Sequence, residues 1–283
     1  MRTAIKESSM QEICFKDRVS VCLAPTGVAT VTLRRADKMN TLDGAMFQGL
    51  MDAGAWLRDA AGLRAVVLAG EGKAFCAGLD MANFEGILHG QGVDPVLGRL
   101  AQRRFGPANL PQAIGWQWRA LEVPVVAAVH GVALGGGMQL ALGADVRLVA
   151  PATRLSVREI HWGLVPDMAG MPLLRELVRA DIARELVFTG RMVDAQEACQ
   201  IGLATRIEPE PLQAAQALAA EMASFHPQAI RAAKRLLNSS FDASAGDLLM
   251  AESLEQMLLL GSPNQREAVA AGLQRRAPVF DDV

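Results

Sequence analysis

Two glycine-bearing segments of this chain can offer bare backbone N–H groups to a ligand. Lys73–Asp80 (KAFCAGLD) follows a short apolar run, and Gly78 supplies the unusual backbone angle that turns the N–H of Leu79 outward. Gly131–Gln139 (GVALGGGMQ) sits between a buried strand and a short helix, where unpaired N–H groups at a helix N-terminus favour negative charge. Together the segments supply the two donors that an oxyanion hole needs. The side chains available for proton transfer are few. Tyrosine is absent, and the histidines are His89, His130, His161 and His226. His130, at the end of an apolar run, reads as a hydrogen-bonded core residue. Cys14, Cys22, Cys76 and Cys199 form no CxxC pair, so no metal site is expected and small buried thiols are. Gly70-Glu71-Gly72-Lys73-Ala74 lacks the Ser or Thr of a phosphate loop, and Phe75 stands where a dinucleotide fingerprint needs glycine. No GxSxG nucleophile elbow is present.

These groups must be carried by a framework, and the chain is long and apolar enough to build one. It has 283 residues, 51% hydrophobic, with a formal charge of −2, which excludes dominant disorder and argues against a nucleic-acid partner. The N-terminal stretch carries both charge signs and no apolar signal core, so a cytoplasmic location is expected. Strands are expected in residues 1–33, notably Val28–Leu33, and at Ala65–Ala69, Val125–Val129 and Val146–Val149. Helices are expected at Leu42–Leu57, Pro111–Leu121 and Gly135–Gly143. Val123–Ala150 is long enough to span a bilayer. Pro124, His130, Gln139, Asp145 and three consecutive glycines interrupt it, so it reads as strand, turn, short helix and strand instead. Residues 83–108 lose periodicity and read as a mobile segment. Four helices, Leu212–Ser224, Pro227–Asn238, Ala245–Leu260 and Pro263–Arg275, complete the chain. The pattern is α/β, divided into a core over residues 1–210 and a helical C-terminal region over 211–283.

KAFCAGLD, PVVAAVHGVALGGG, Asp145-Val146-Arg147, and Glu159 followed by Gly163-Leu164-Val165-Pro166 resemble the enoyl-CoA hydratase/isomerase (crotonase) family in order and spacing. The likeness extends from about Val28 to Asn238, through LRRADKMNTLD and FTGRMVDAQEACQIGLATRI. It implies a crotonase-like spiral of ββα units, with C-terminal helices that mediate trimers or dimers of trimers. It also implies an acyl-CoA thioester substrate, with CoA as part of the substrate and no separate cofactor or membrane partner. The thioester oxygen would lie between the N–H groups of Leu79 and Gly136. Met39, Thr41, Ala77, Asp80, Met81, Gly135, Gln139, Trp162 and Pro166 would line the substrate site. Arg34, Arg35 and Lys38 could meet CoA phosphates or form a solvated face, and Lys234 and Arg235 carry the same two alternatives.

The resemblance also bears on the reaction. A typical hydratase of the family carries two glutamates. Here the second is Glu159, and the first is replaced by Gln139, whose amide cannot exchange a proton at neutral pH. Asp167, eight residues past Glu159, matches an acid of the family's dienoyl-CoA isomerases, which also carry an aspartate at the Gln139 position. A proton shuttle between Glu159 and Asp167, moving a double bond through an oxyanion-stabilised dienolate, is the leading expectation. Hydration by Glu159 alone and non-catalytic acyl-CoA binding are the alternatives. Asp167 could instead cap a helix after Pro166, and Glu159 could be an ion-paired acid beside Arg158 or Arg154.

Overall fold

The computed structural model describes residues 11–81, 88 and 100–282. Of the segment expected to be irregular, residues 83–87 and 89–99 lie outside the described residues. Strands β1 (Gln11–Phe15), β2 (Val19–Leu23) and β3 (Val28–Leu33) form an antiparallel meander. On β3 a parallel array is built from β4 (Ala65–Gly70), β5 (Val125–Val129), β7 (Val146–Val149) and β10 (Arg206–Ile207), giving the order β1-β2-β3-β4-β5-β7-β10. A second sheet pairs β6 (Val132–Leu134) with β8 (Arg154–Ser156) and β9 (Val193–Asp194).

The apolar runs of β4 and β5 are continuous because both faces of these strands are covered. Val66 and Leu68 of β4 and Val125, Ala127 and Val129 of β5 point into the main core with helices α1 (Gly44–Asp59) and α2 (Leu110–Ala120). Ala65, Val67 and Ala69 of β4 and Val126 and Ala128 of β5 point the other way. There they meet the small stripe Ala215, Ala219 and Ala223 of helix α7 (Pro211–Ala223). This is the period-two alternation of a strand read against the i, i+4 spacing of a helix. Helix α1 begins two residues later than expected because the Asp43 carboxylate accepts the Met46 N–H at 2.7 Å and caps it. Helix α2 is opened by a capping box between Asn109 and Gln112.

The stretch Val123–Ala150 folds as a buried strand, the short strand β6, helix α3 (Gly136–Leu142) and β7. Among the described residues no helix is long and apolar enough to cross a membrane. Between residues 150 and 210, where periodicity is weak, the chain forms β8, a 3₁₀ turn (Glu159–Trp162), helices α4 (Gly170–Arg175) and α5 (Ala180–Thr189), β9, helix α6 (Ala195–Ile201) and β10. The C-terminal helices are α7, α8 (Pro227–Ser239), α9 (Ala245–Leu259) and α10 (Pro263–Gln274), close to the expected bounds.

Candidate active site

The segment after β4 returns alongside β6. Phe75 N–H donates to His130 O, Cys76 N–H to Val132 O, and Leu134 N–H to Cys76 O. This pairing brings Gly78 against the end of β6: a Cβ there would lie 2.6 Å from Leu134 O and 3.7 Å from Gly136 N, at φ +94°. Only glycine fits, and the Leu79 N–H is thereby set beside the first turn of α3. Leu79 is held from the other side by Leu42, whose N–H donates to Gly78 O at 2.8 Å and whose carbonyl accepts the Asp80 N–H at 3.2 Å. Gly136 opens α3 after Gly135, which adopts φ 50°, ψ −120°. As the first helical residue, Gly136 has no carbonyl a turn earlier to receive its N–H. Among the described residues, neither Leu79 N–H nor Gly136 N–H has a backbone acceptor. Both expected donors therefore meet at one place, with the α3 dipole behind one of them.

Behind Leu79 lies an ionic brace. Arg35 donates to the Thr41 hydroxyl at 2.9 Å and pairs with Asp80, and it also meets Asp43 at 3.5 Å. Asn40, fully buried, donates its amide to the carbonyls of Glu71, Ala74 and Phe75 and accepts the Arg35 N–H at 2.8 Å. Thr41 and Asp80 are thus joined through Arg35 next to Leu79, and Arg35 sits in an internal ion pair, which is neither the phosphate contact nor the solvated face expected for it. Sequence reasoning did not see Asn40 as a hub; its signal was an amide standing between the polar stretch and an apolar helix. Cys76 donates its thiol to Asn40 O at 3.0 Å, and burial pushes that thiol up to about 12, which leaves it unreactive.

The acid side of the site is built on the 3₁₀ turn and α3. Glu159 is buried, and its Oε1 accepts from the Gln139 amide at 2.5 Å. A Cβ on Gly135 would come 3.3 Å from that same Oε1, so the carboxyl stands directly beside the donor turn. Glu159 Oε2 is buried and has no hydrogen-bond partner among the described residues. Burial raises the Glu159 pKa, and the nearby Asp167 charge adds to that; its own backbone N–H and the Gln139 amide act in the opposite sense. Asp167, partly buried, is also raised by burial, with its own backbone N–H opposing. Glu159 makes no ion pair with Arg158 or Arg154; Arg154 faces Asp194 instead. The N-cap of α4 is Ala169, with no side-chain cap, so Asp167 is not capping that helix.

Other residues fall around this centre. Pro166 is buried next to Asp167, whereas Met39, Met81 and Trp162 are about half exposed. Ala77 donates its N–H to Met39 O at 2.9 Å, joining the two segments expected to line the substrate site. His161 lies with Nε2 3.2 Å from Gly190 O, and His130 with Nε2 3.0 Å from Gly72 O, the latter partly exposed rather than in the core. Lys234 is not available to a ligand: it is buried and donates to Trp118 O, Val123 O and the Asp145 carboxylate. Burial lowers its pKa, and Asp145 opposes this. Arg235 pairs with Glu255. No cluster of three or more metal-ligating side chains occurs among the described residues.

Two converging backbone donors, a buried glutamate and a neighbouring aspartate can stabilise an oxyanion and move protons beside it. The fold and this arrangement define a class that comparison makes specific. Residues 24–282 match the enoyl-CoA hydratase/isomerase family profile. A relative named "Probable enoyl-CoA hydratase" from Mycobacterium tuberculosis is 36% identical over 262 residues, covering 90% of each chain. Another of that name from Rhizobium meliloti is 34% identical, covering 89% of this chain and 94% of its own. The solved enoyl-CoA hydratase of Bacillus anthracis superposes with a TM-score of 0.84 at 28% identity, covering 93% of this chain and 98% of that one. The chain belongs to the enoyl-CoA hydratase/isomerase family and has its crotonase fold.

Proposed function

We propose that the protein moves a double bond along the acyl chain of an enoyl- or dienoyl-CoA. The observation that carries this reading is the state of Gln139. Its carbonyl accepts Met168 N–H at 2.8 Å and Gly170 N–H at 2.9 Å, and its amide donates to Glu159. An amide so engaged neither exchanges a proton nor offers its oxygen to a water. Proton transfer is left to Glu159 and Asp167. Glu159, whose carboxyl lies beside Gly135 of the donor turn, would serve the carbon next to the thioester in this reading. One carboxylate removes a proton, the charge passes to the thioester oxygen between Leu79 and Gly136, and a carboxylic acid returns a proton further along the chain. The burial of both carboxyls supports this reading, since a raised pKa brings each nearer to neutral pH.

The CoA would lie along Met39–Leu42 and Ala77–Met81, and no cofactor beyond it is needed for this chemistry. A homotrimer or dimer of trimers is supported by α9, which carries no buried residue and exposes Leu249, Met250, Leu254, Met257 and Leu258. Hydration by Glu159 alone is the second reading, favoured by the names of the relatives. The discriminating experiment follows absorbance with crotonyl-CoA, a 3-enoyl-CoA and a 3,5-dienoyl-CoA. Conversion of the 3-enoyl-CoA or the 3,5-dienoyl-CoA, with slow hydration of crotonyl-CoA, is expected. Strong crotonyl-CoA hydration, abolished in Glu159→Ala and untouched in Asp167→Asn, would overturn the isomerase assignment. Tight acyl-CoA binding without turnover of any substrate would favour a binding protein.

A further inference from the structure

Gln139 stands out as a buried polar side chain with every strong contact directed. Its oxygen is fixed by two backbone donors two residues apart, Met168 N–H and Gly170 N–H. Those N–H groups can meet only an acceptor, so the amide has one orientation and its nitrogen must face Glu159. A nitrogen 2.5 Å from Glu159 Oε1 donates to that oxygen, which favours the unprotonated form there and leaves Oε2 the preferred site of the proton. The other oxygen, Oε2, is buried and unpartnered among the described residues. The same two N–H bonds flank Ala169 and hold down the loop that bears Asp167.

We propose that Gln139 is a positioning residue that confines the Glu159 proton to Oε2 and ties Glu159 to the Asp167 loop through a single amide. Glu159 then has one oxygen held by the scaffold and one left without a partner among the described residues. A carboxylic acid cannot turn over and lose its proton to Gln139, because that contact admits only an acceptor on Glu159. A proton taken up at Oε2 stays on the side from which it is returned. Among the described residues, the charged group that acts on Glu159 is Asp167; its other neighbours here are the uncharged Gln139 and Gly135. The inference rests on Glu159 being the proton carrier of the proposed reaction.

Gln139→Glu tests it. The variant keeps an oxygen for Met168 and Gly170 but sets a second carboxyl oxygen against Glu159 Oε1, so the two must share a proton and titrate as a pair. The full-length protein is labelled with ¹³C at glutamate carboxyls and titrated by NMR, with Glu159→Gln identifying the Glu159 resonance. In Gln139→Glu the upper step is expected at least about one pH unit above the wild-type step, and the acid limb of kcat should move with it, roughly a tenfold loss per unit at a pH below both. Superimposable titrations and acid limbs would overturn the proposal. Should Gln139→Glu fold poorly, the exchanged pair Gln139→Glu/Glu159→Gln rebuilds one carboxylate against one amide. It should regain the wild-type melting temperature without regaining activity, and failure to regain it would also count against the proposal. The NMR shift reads the carboxyl without turnover, so a shifted titration with no isomerisation would leave this inference standing and remove the proposed function.

Discussion

Gly78→Ala probes whether the Leu79 N–H is a working donor. The added Cβ would start 2.6 Å from Leu134 O at a φ of +94°. Ordinary contact begins near 3.4 Å, so backbone must retreat by about 0.8 Å, and the obstacle is a carbonyl in β6 rather than a movable side chain. A useful oxyanion bond spans only about 2.7–3.1 Å, so a shift of that size takes one donor out of range, and such a loss costs about 10²–10³ in kcat. The strained φ adds about 1–3 kcal/mol of instability, a fall of roughly 2–10 °C in Tm. The assay is steady-state kinetics on the substrate that turns over, with calorimetric binding of a saturated acyl-CoA. The expected result is a collapse of kcat with KM and acyl-CoA affinity within about twofold, the signature of an interaction made only in the transition state. Gly261→Ala is the control. It has φ +74° but no atom within 4 Å of the added Cβ and lies between α9 and α10, so it should lose stability and keep kcat. A folded Gly78→Ala protein with wild-type kcat would refute the placement of the oxyanion at Leu79.

Three further perturbations follow from the same geometry. Arg35→Met removes an ion-pair partner of Asp80 next to Leu79 and should lower kcat about 10- to 100-fold at nearly constant KM, with partial recovery in Arg35→Met/Asp80→Asn, checked by steady-state kinetics. Glu159→Gln should lower kcat about 10²–10⁴-fold. The same variant should be stabilised at high pH: burial raises the folded pKa, so the ionised carboxylate costs stability above that pKa and costs nothing below the unfolded one. Its Tm should therefore exceed wild type at pH 8 and converge with it in acid, below the pKa of the unfolded carboxyl; a gain that persists there would show another cause. Lys234→Met leaves Asp145 and two carbonyls without their cation and should cost about 3 kcal/mol in denaturant unfolding, while acyl-CoA KM stays put; a large rise in KM would restore Lys234 as a CoA ligand.

Much of this protein is legible in its sequence. Apolar runs at Ala65–Ala69 and Val125–Val129 predict buried strands, and cores on the two faces of the sheet receive their alternate side chains. Gly78 and the Gly135–Gly136 turn predict exposed N–H groups because glycine is needed where a Cβ cannot fit, and close approach is what the fold shows there. The short elements between residues 150 and 210 were not legible: strands of two or three residues have no periodicity of their own and exist only through pairing, as β8 does with β6 and β9. The fate of charges was equally hidden. Nothing local marks Lys234 as buried against Asp145, 89 positions away, or Arg35 as the partner of Asp80, 45 positions away, rather than of a phosphate. Residue type alone established that Gln139 cannot carry a proton and that Glu159 and Asp167 can. Which way the Gln139 amide faces, and so which Glu159 oxygen is left without a partner among the described residues, depends on two backbone N–H groups some 30 residues downstream that only the tertiary fold brings within hydrogen-bond reach.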